Sequence, residues 1–174
     1  HPALEWPFVI GKGYDTIRSD FFRFLAERNA ENVIYFAREF KNTHGSKYSF
    51  GIYYGYVMEH SGSLKRMLYG GHLGITKVLR EAPLDVITCP ASYGLRRMEQ
   101  SHAYMNPVDS ALMHGIMPII ENDIRNYVVP YLKDGSGATL PTLDESIKTN
   151  RKLNMLAASH GAAVRYLALL EGFD

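Results

Sequence analysis

The chain has 174 residues, 46% of them hydrophobic and 21% charged, with 19 basic side chains set against 18 acidic ones. That length suits one ordinary domain with a sizeable core, and the composition excludes a disordered, collagen-like or coiled-coil chain. A net charge of +1 lacks the basic excess that phosphate-backbone binding requires, so nucleic acid is not an expected partner.

Cys89 is the only cysteine, which precludes an intrachain disulfide and leans the reading towards a reducing, cytoplasmic compartment. No CxxC or HExxH spacing occurs, so no metal site is expected. The longest apolar runs fall far short of the roughly 20 residues of a membrane span, and no membrane partner is expected. His1-Pro2-Ala3-Leu4-Glu5 has neither a signal-peptide start nor an initiating Met. The expectation is a processed product or a piece of something longer.

Residues 1–14 are punctuated by Pro2, Pro7, Gly11 and Gly13 and read as irregular. From Asp15 to Phe40 the pattern is helical, with Ile17, Phe21, Phe24, Leu25, Val33, Phe36 and Phe40 as the expected apolar stripe and Gly45 as the cap. Tyr48 to Glu59 is β-branched and aromatic and reads as a strand buried on both faces. After a glycine-punctuated loop, Leu73–Leu79 reads as a short helix and Leu84–Pro90 as a second strand. A polar loop carrying Tyr93, Arg96, Arg97, His102 and Tyr104 leads to a short helix at Val108–Met113 and a third strand at Gly115–Glu121. Thr142-Leu143-Asp144-Glu145 is a capping box that opens a helix to about Ser159, closed by Gly161. Ala163–Leu170 reads as a fourth strand. Helix and strand alternate throughout, which argues for an α/β fold with a parallel sheet. Periodicity alone fits either part of a barrel or an open sheet.

In such folds functional groups gather at the carboxyl ends of strands. The expected strand ends are Met58-Glu59-His60, Cys89 to Tyr93, Glu121 to Arg125, and Glu171 to Asp174, so three of the four deliver a carboxylate. Paired carboxylates beside flat rings are what glycoside hydrolysis needs. His72 and His114, next to glycines, read as structural, and Asp123 and Arg125 as a possible local ion pair. Tyr69 to Gly74 is glycine-rich without nucleotide-binding spacing, and no GxSxG elbow occurs, so no cofactor is expected.

Several segments carry a family resemblance in order: Gly51-Ile52-Tyr53-Tyr54-Gly55-Tyr56-Val57-Met58-Glu59, Gly71-His72-Leu73-Gly74, and Leu84-Asp85-Val86-Ile87-Thr88-Cys89-Pro90-Ala91-Ser92-Tyr93. Asn106-Pro107-Val108-Asp109-Ser110, His114-Gly115, Glu121-Asn122-Asp123-Ile124-Arg125 and Gly161 to Leu170 continue it. Together they resemble the β-galactosidase-like barrel enzymes similar to glycoside hydrolase family 42. The resemblance implies about half of a (β/α)₈ barrel, strands five to eight. Glu121 then stands where such enzymes carry the nucleophile of a retaining hydrolase acting on a β-linked sugar. Asp123 and Arg125 would orient it, while Glu59, His60 and Tyr93 would contact sugar hydroxyls.

The family's acid/base Glu follows strand four, usually after an Asn, and no Asn-Glu pair stands at a strand end here. The expectation is that a missing half-barrel or a second chain supplies it, or that this half is not catalytic alone. Tyr166-Leu167-Ala168 also stands where a Trp-rich stretch is typical of the family. Two other readings remain: a non-catalytic carbohydrate-binding or assembly module, and a flavodoxin-like open sheet binding a small molecule.

Overall fold

The computed structural model describes residues 16–58, 68–93, 95–96, 98–124 and 142–166. Helix α1 (Thr16–His44) precedes strand β1 (Gly51–Tyr53). A 3₁₀ turn at His72–Gly74 runs into α2 (Ile75–Glu81), followed by β2 (Val86–Pro90), α3 (Val108–Met113), β3 (Met117–Asn122), α4 (Leu143–Ser159) and β4 (Ala163–Tyr166). The four strands form one all-parallel sheet in the order β1-β2-β3-β4. The fold is therefore α/β, as the alternation of elements requires. Among the described residues no helix is long and apolar enough to cross a membrane.

Strand order equals chain order, with no reversal. Because parallel crossovers are right-handed, such an order places the connecting helices on one face of the sheet. The core agrees. Ile87 of β2 packs with Ala30, Ile34 and Ala37 of α1 and Val78 and Leu79 of α2. Cys89 of β2 and Ile120 of β3 pack with Val108 of α3 and Leu153 and Ala157 of α4. By strand alternation, Tyr53, Val86, Thr88, Met117, Ile119, Glu121 and Arg165 belong to the opposite face. Tyr53 and Met117 are each 46% exposed there.

Local rules explain most element ends. Gly45 (φ +63°) and Gly161 (φ +68°) adopt the left-handed conformation that closes α1 and α4. The Thr142 hydroxyl oxygen accepts from the Glu145 N–H at 3.2 Å, the N-cap half of the expected capping box, and the hydroxyl itself donates to the Glu145 carboxylate at 2.8 Å, which opens α4. Asp85 fixes the start of β2, taking the Lys41 ammonium at 2.5 Å and the Phe50 N–H at 2.6 Å.

Two expectations are corrected. The buried stripe of α1 is Phe22, Ala26, Ala30, Ile34 and Ala37, whereas Ile17, Phe21, Phe24 and Phe36 are exposed. Small residues win that face because the 3₁₀ turn and α2 approach the α1 backbone too closely for aromatic rings. A Cβ added to Gly74 would lie 2.7 Å from both the Ala26 carbonyl oxygen and the Ala30 Cβ. Gly74→Ala is accordingly expected to cost about 1–3 kcal/mol by overpacking, read as a lower urea midpoint with unchanged slope.

The second correction is to β1. It spans three residues, not twelve, its Gly51 and Tyr53 are exposed rather than buried, and among the described residues it lies at the edge of the sheet. Beyond Tyr53 the backbone leaves the ladder, and the buried Tyr54 hydroxyl donates to the Gly71 carbonyl at 2.9 Å. His72 stacks on Tyr54 at a centroid distance of 5.0 Å, and its Nδ1 accepts the Tyr56 N–H at 3.0 Å. The structural reading of His72 therefore holds. Burial pushes its pKa below the ordinary 6.5. The unfolded chain then binds the proton more readily, so His72 supports stability above that pH and withdraws it as pH falls. Stability should decline on acidification through that region, and the decline should shrink in His72→Phe.

Candidate active site

The carboxyl edge of the sheet brings together three of the six residues singled out from sequence: Tyr93, Glu121 and Asp123. Glu59, His60 and Arg125 lie outside the described residues.

Glu121 is the fifth residue of β3 and stands between Pro90 of β2 and Arg165 of β4 in the ladder. Strand alternation points it away from the helices, onto the face it shares with Tyr53 and Arg165. The Tyr53 hydroxyl reaches over from β1 and donates to Glu121 Oε2. Arg165 in turn donates to the Tyr53 oxygen over a longer 3.4 Å. Partial burial first, then the bond to Glu121 and its charge, push the Tyr53 pKa up. Tyr53 therefore stays protonated and remains a donor to the carboxylate.

A second group sits beside it, on the segment that follows β2. The Ala91–Tyr104 bridge and the Ser92 N–H to Ala103 carbonyl bond (2.8 Å) pin this segment. Arg96 is only 2% exposed and threads back to donate to the Ala91 carbonyl at 2.8 Å and the Ser92 carbonyl at 3.2 Å. It also pairs with Asp123 Oδ1. The Tyr93 hydroxyl donates to Asp123 Oδ2 at 3.0 Å, and the Arg96 guanidinium lies 3.9 Å from the Tyr93 ring centre, a cation–π contact. Burial and then the Asp123 charge raise the Tyr93 pKa. Asp123 thus has both oxygens engaged. Among the described residues its ion-pair partner is Arg96, and the expected pairing with Arg125 lies outside the described residues.

The two groups are electrostatic neighbours. The Glu121 charge helps to raise the pKa values of Tyr53, Tyr56 and Tyr93, in each case after burial itself. The result is a half-buried carboxylate held by the Tyr53 phenol and flanked by a braced Asp–Arg pair. It can act as a nucleophile, a base or an acceptor for sugar hydroxyls. Among the described residues no cluster of His, Cys, Asp and Glu could hold a metal ion. Cys89 is fully buried and its pKa is raised to about 11, so it is an inert core residue.

Sequence reasoning missed Tyr53, Arg96 and Arg165. Arg165 carried a signal, being a lone cation within an apolar strand. No protein-family model, curated protein or solved structure matches the chain.

Proposed function

We propose that this chain is the carboxyl-terminal half of a (β/α)₈ barrel and carries the nucleophile, Glu121, of a retaining β-glycoside hydrolase. The observation that carries the reading is Glu121 itself: a half-buried carboxylate at the carboxyl edge of a parallel sheet, on the face away from the helices, held by the Tyr53 hydroxyl. Two further features support the half-barrel. Chain-order strands with helices on one face match a barrel wall, whereas a doubly wound sheet reverses its order and is covered on both sides. Among the described residues no helix packs on the Glu121 face and β1 lies at the sheet edge, which is the arrangement a barrel closes by adding further strands.

In the proposed mechanism the Glu121 carboxylate attacks the anomeric carbon, the aglycone leaves, and water later releases the sugar with retained configuration. Tyr53 holds the carboxylate in line, and the aromatic edge offers flat surfaces to the sugar. The acid/base carboxylate, about 5–5.5 Å away in retaining enzymes, would come from a missing half-barrel or a second chain; among the described residues Asp123 is tied to Arg96 and Tyr93.

The test is a dinitrophenyl β-glycoside, whose leaving group departs without acid assistance. The chain should release a burst of about one phenolate per molecule, turn over slowly afterwards, and leave alkyl glycosides intact. Saturable sugar binding without a burst would instead favour the non-catalytic binding module.

A further inference from the structure

A second cleft, of about 500 Å³, opens between the segment after Tyr104 and the carboxyl-terminal part of α4. It lies on the helix-covered side of the sheet, whereas Glu121 belongs to the other face. Its volume falls within the roughly 300–1,000 Å³ of small-molecule sites. Met58, Val108 and Leu156 give it apolar walls.

Its polar groups are unusual. Asn106 is 2% exposed, yet neither its carboxamide oxygen nor its nitrogen has a hydrogen-bond partner. The Tyr104 hydroxyl in the same lining is likewise buried and unpartnered. Orphaned buried groups of this kind are rare in native proteins and call for an explanation. A third observation is independent of these: His102, also in the lining, is the only described non-glycine residue with positive φ (+55°). Such strain collects at ligand sites. At the rim, His160 Nδ1 meets Asp109 Oδ1 at 2.8 Å, and the His160 ring packs edge-on against Tyr104.

We infer that this cleft binds a neutral polyhydroxylated molecule of about monosaccharide size. An amide that needs both a donor and an acceptor, next to a phenol, matches adjacent sugar hydroxyls, each of which gives and takes a hydrogen bond. Among the described residues no Lys or Arg lines the cleft and Asp109 does, which disfavours an anion. The inference goes beyond the proposed hydrolase and does not depend on Glu121.

The test follows the His160 and Tyr104 ring resonances of the whole chain during titration with galactose, glycerol and inorganic phosphate. Galactose should give a saturable shift and phosphate none. Asn106→Leu, which replaces an unpaired amide by an apolar group of similar size, should fold at least as stably yet bind galactose about tenfold or more weakly. Tyr104→Phe supplies the same reading if that variant fails to fold. Glu121→Gln should leave these shifts unchanged, which separates this cleft from the carboxylate site. Wild-type galactose affinity in Asn106→Leu or Tyr104→Phe, displacement by phosphate, or no saturable shift from either polyol, the cleft then holding only water, would overturn the inference.

Discussion

Glu121→Gln should abolish the burst from a dinitrophenyl β-glycoside, slowing release of the first phenolate by about 10³-fold or more. Gln keeps the size of the side chain and can still accept the Tyr53 hydrogen bond, so the fold and sugar binding should persist. What is lost is the negative charge that forms the bond to the anomeric carbon. Glu121→Ala should behave similarly, with one addition. The space it opens admits azide, which should restore release and yield the α-glycosyl azide. Stopped-flow absorbance reads the burst, and the anomeric proton coupling reads the product. An undiminished burst in Glu121→Gln would remove Glu121 from the chemistry.

The second large effect belongs to Arg96. Its guanidinium is buried and serves Asp123, two backbone carbonyls and the face of Tyr93 at once. Arg96→Met keeps the apolar stem and removes all of these donors. It strands the Asp123 carboxylate, whose side chain is only 14% exposed. Breaking a buried pair on one side typically costs about 3–5 kcal/mol, and that is the expected loss in urea unfolding. Arg96→Lys should recover little, because a point charge cannot replace a fork that reaches three acceptors. Adding Asp123→Asn to Arg96→Met should return part of the loss, since no unpaired charge then remains. A loss below about 1 kcal/mol in Arg96→Met would mean the pair is solvated and does not brace the site.

The alternation of helix and strand was legible because β2, β3 and the capped helix α4 each obey a strong local rule: a short apolar run, or a Thr–Glu box. The parallel sheet followed from that alternation. The buried face of α1 was not legible. Hydropathy selects Phe21, Phe24 and Phe36, but packing selects Ala26 and Ala30, because the distance between α1 and the 3₁₀ turn is set by Gly74, far downstream in the chain. The length of β1 was misjudged for a related reason. Tyr54 and Tyr56 look like strand residues, yet Tyr54 is bound to Gly71 and Tyr56 to His72, outside the ladder.

At the candidate site, Glu121 stood out because polarity changes abruptly at the end of an apolar strand. Tyr53 could not be recognised from its own neighbourhood. It meets Glu121 only because both belong to the same face of a sheet in which another strand lies between them. The pairing of Asp123 with Arg96 likewise depended on a loop path that no periodicity encodes.

The most direct measurement is covalent trapping with a 2-deoxy-2-fluoro β-glycosyl reagent bearing a dinitrophenolate leaving group, which forms the glycosyl-enzyme bond readily and breaks it slowly. Peptide mass spectrometry of the treated chain should find one fluoro-sugar on the peptide containing Glu121, fragmenting to that residue, and none in Glu121→Gln. An adduct on Asp123 or elsewhere, or no adduct after prolonged exposure at saturating reagent, would contradict the assignment of Glu121 as the nucleophile.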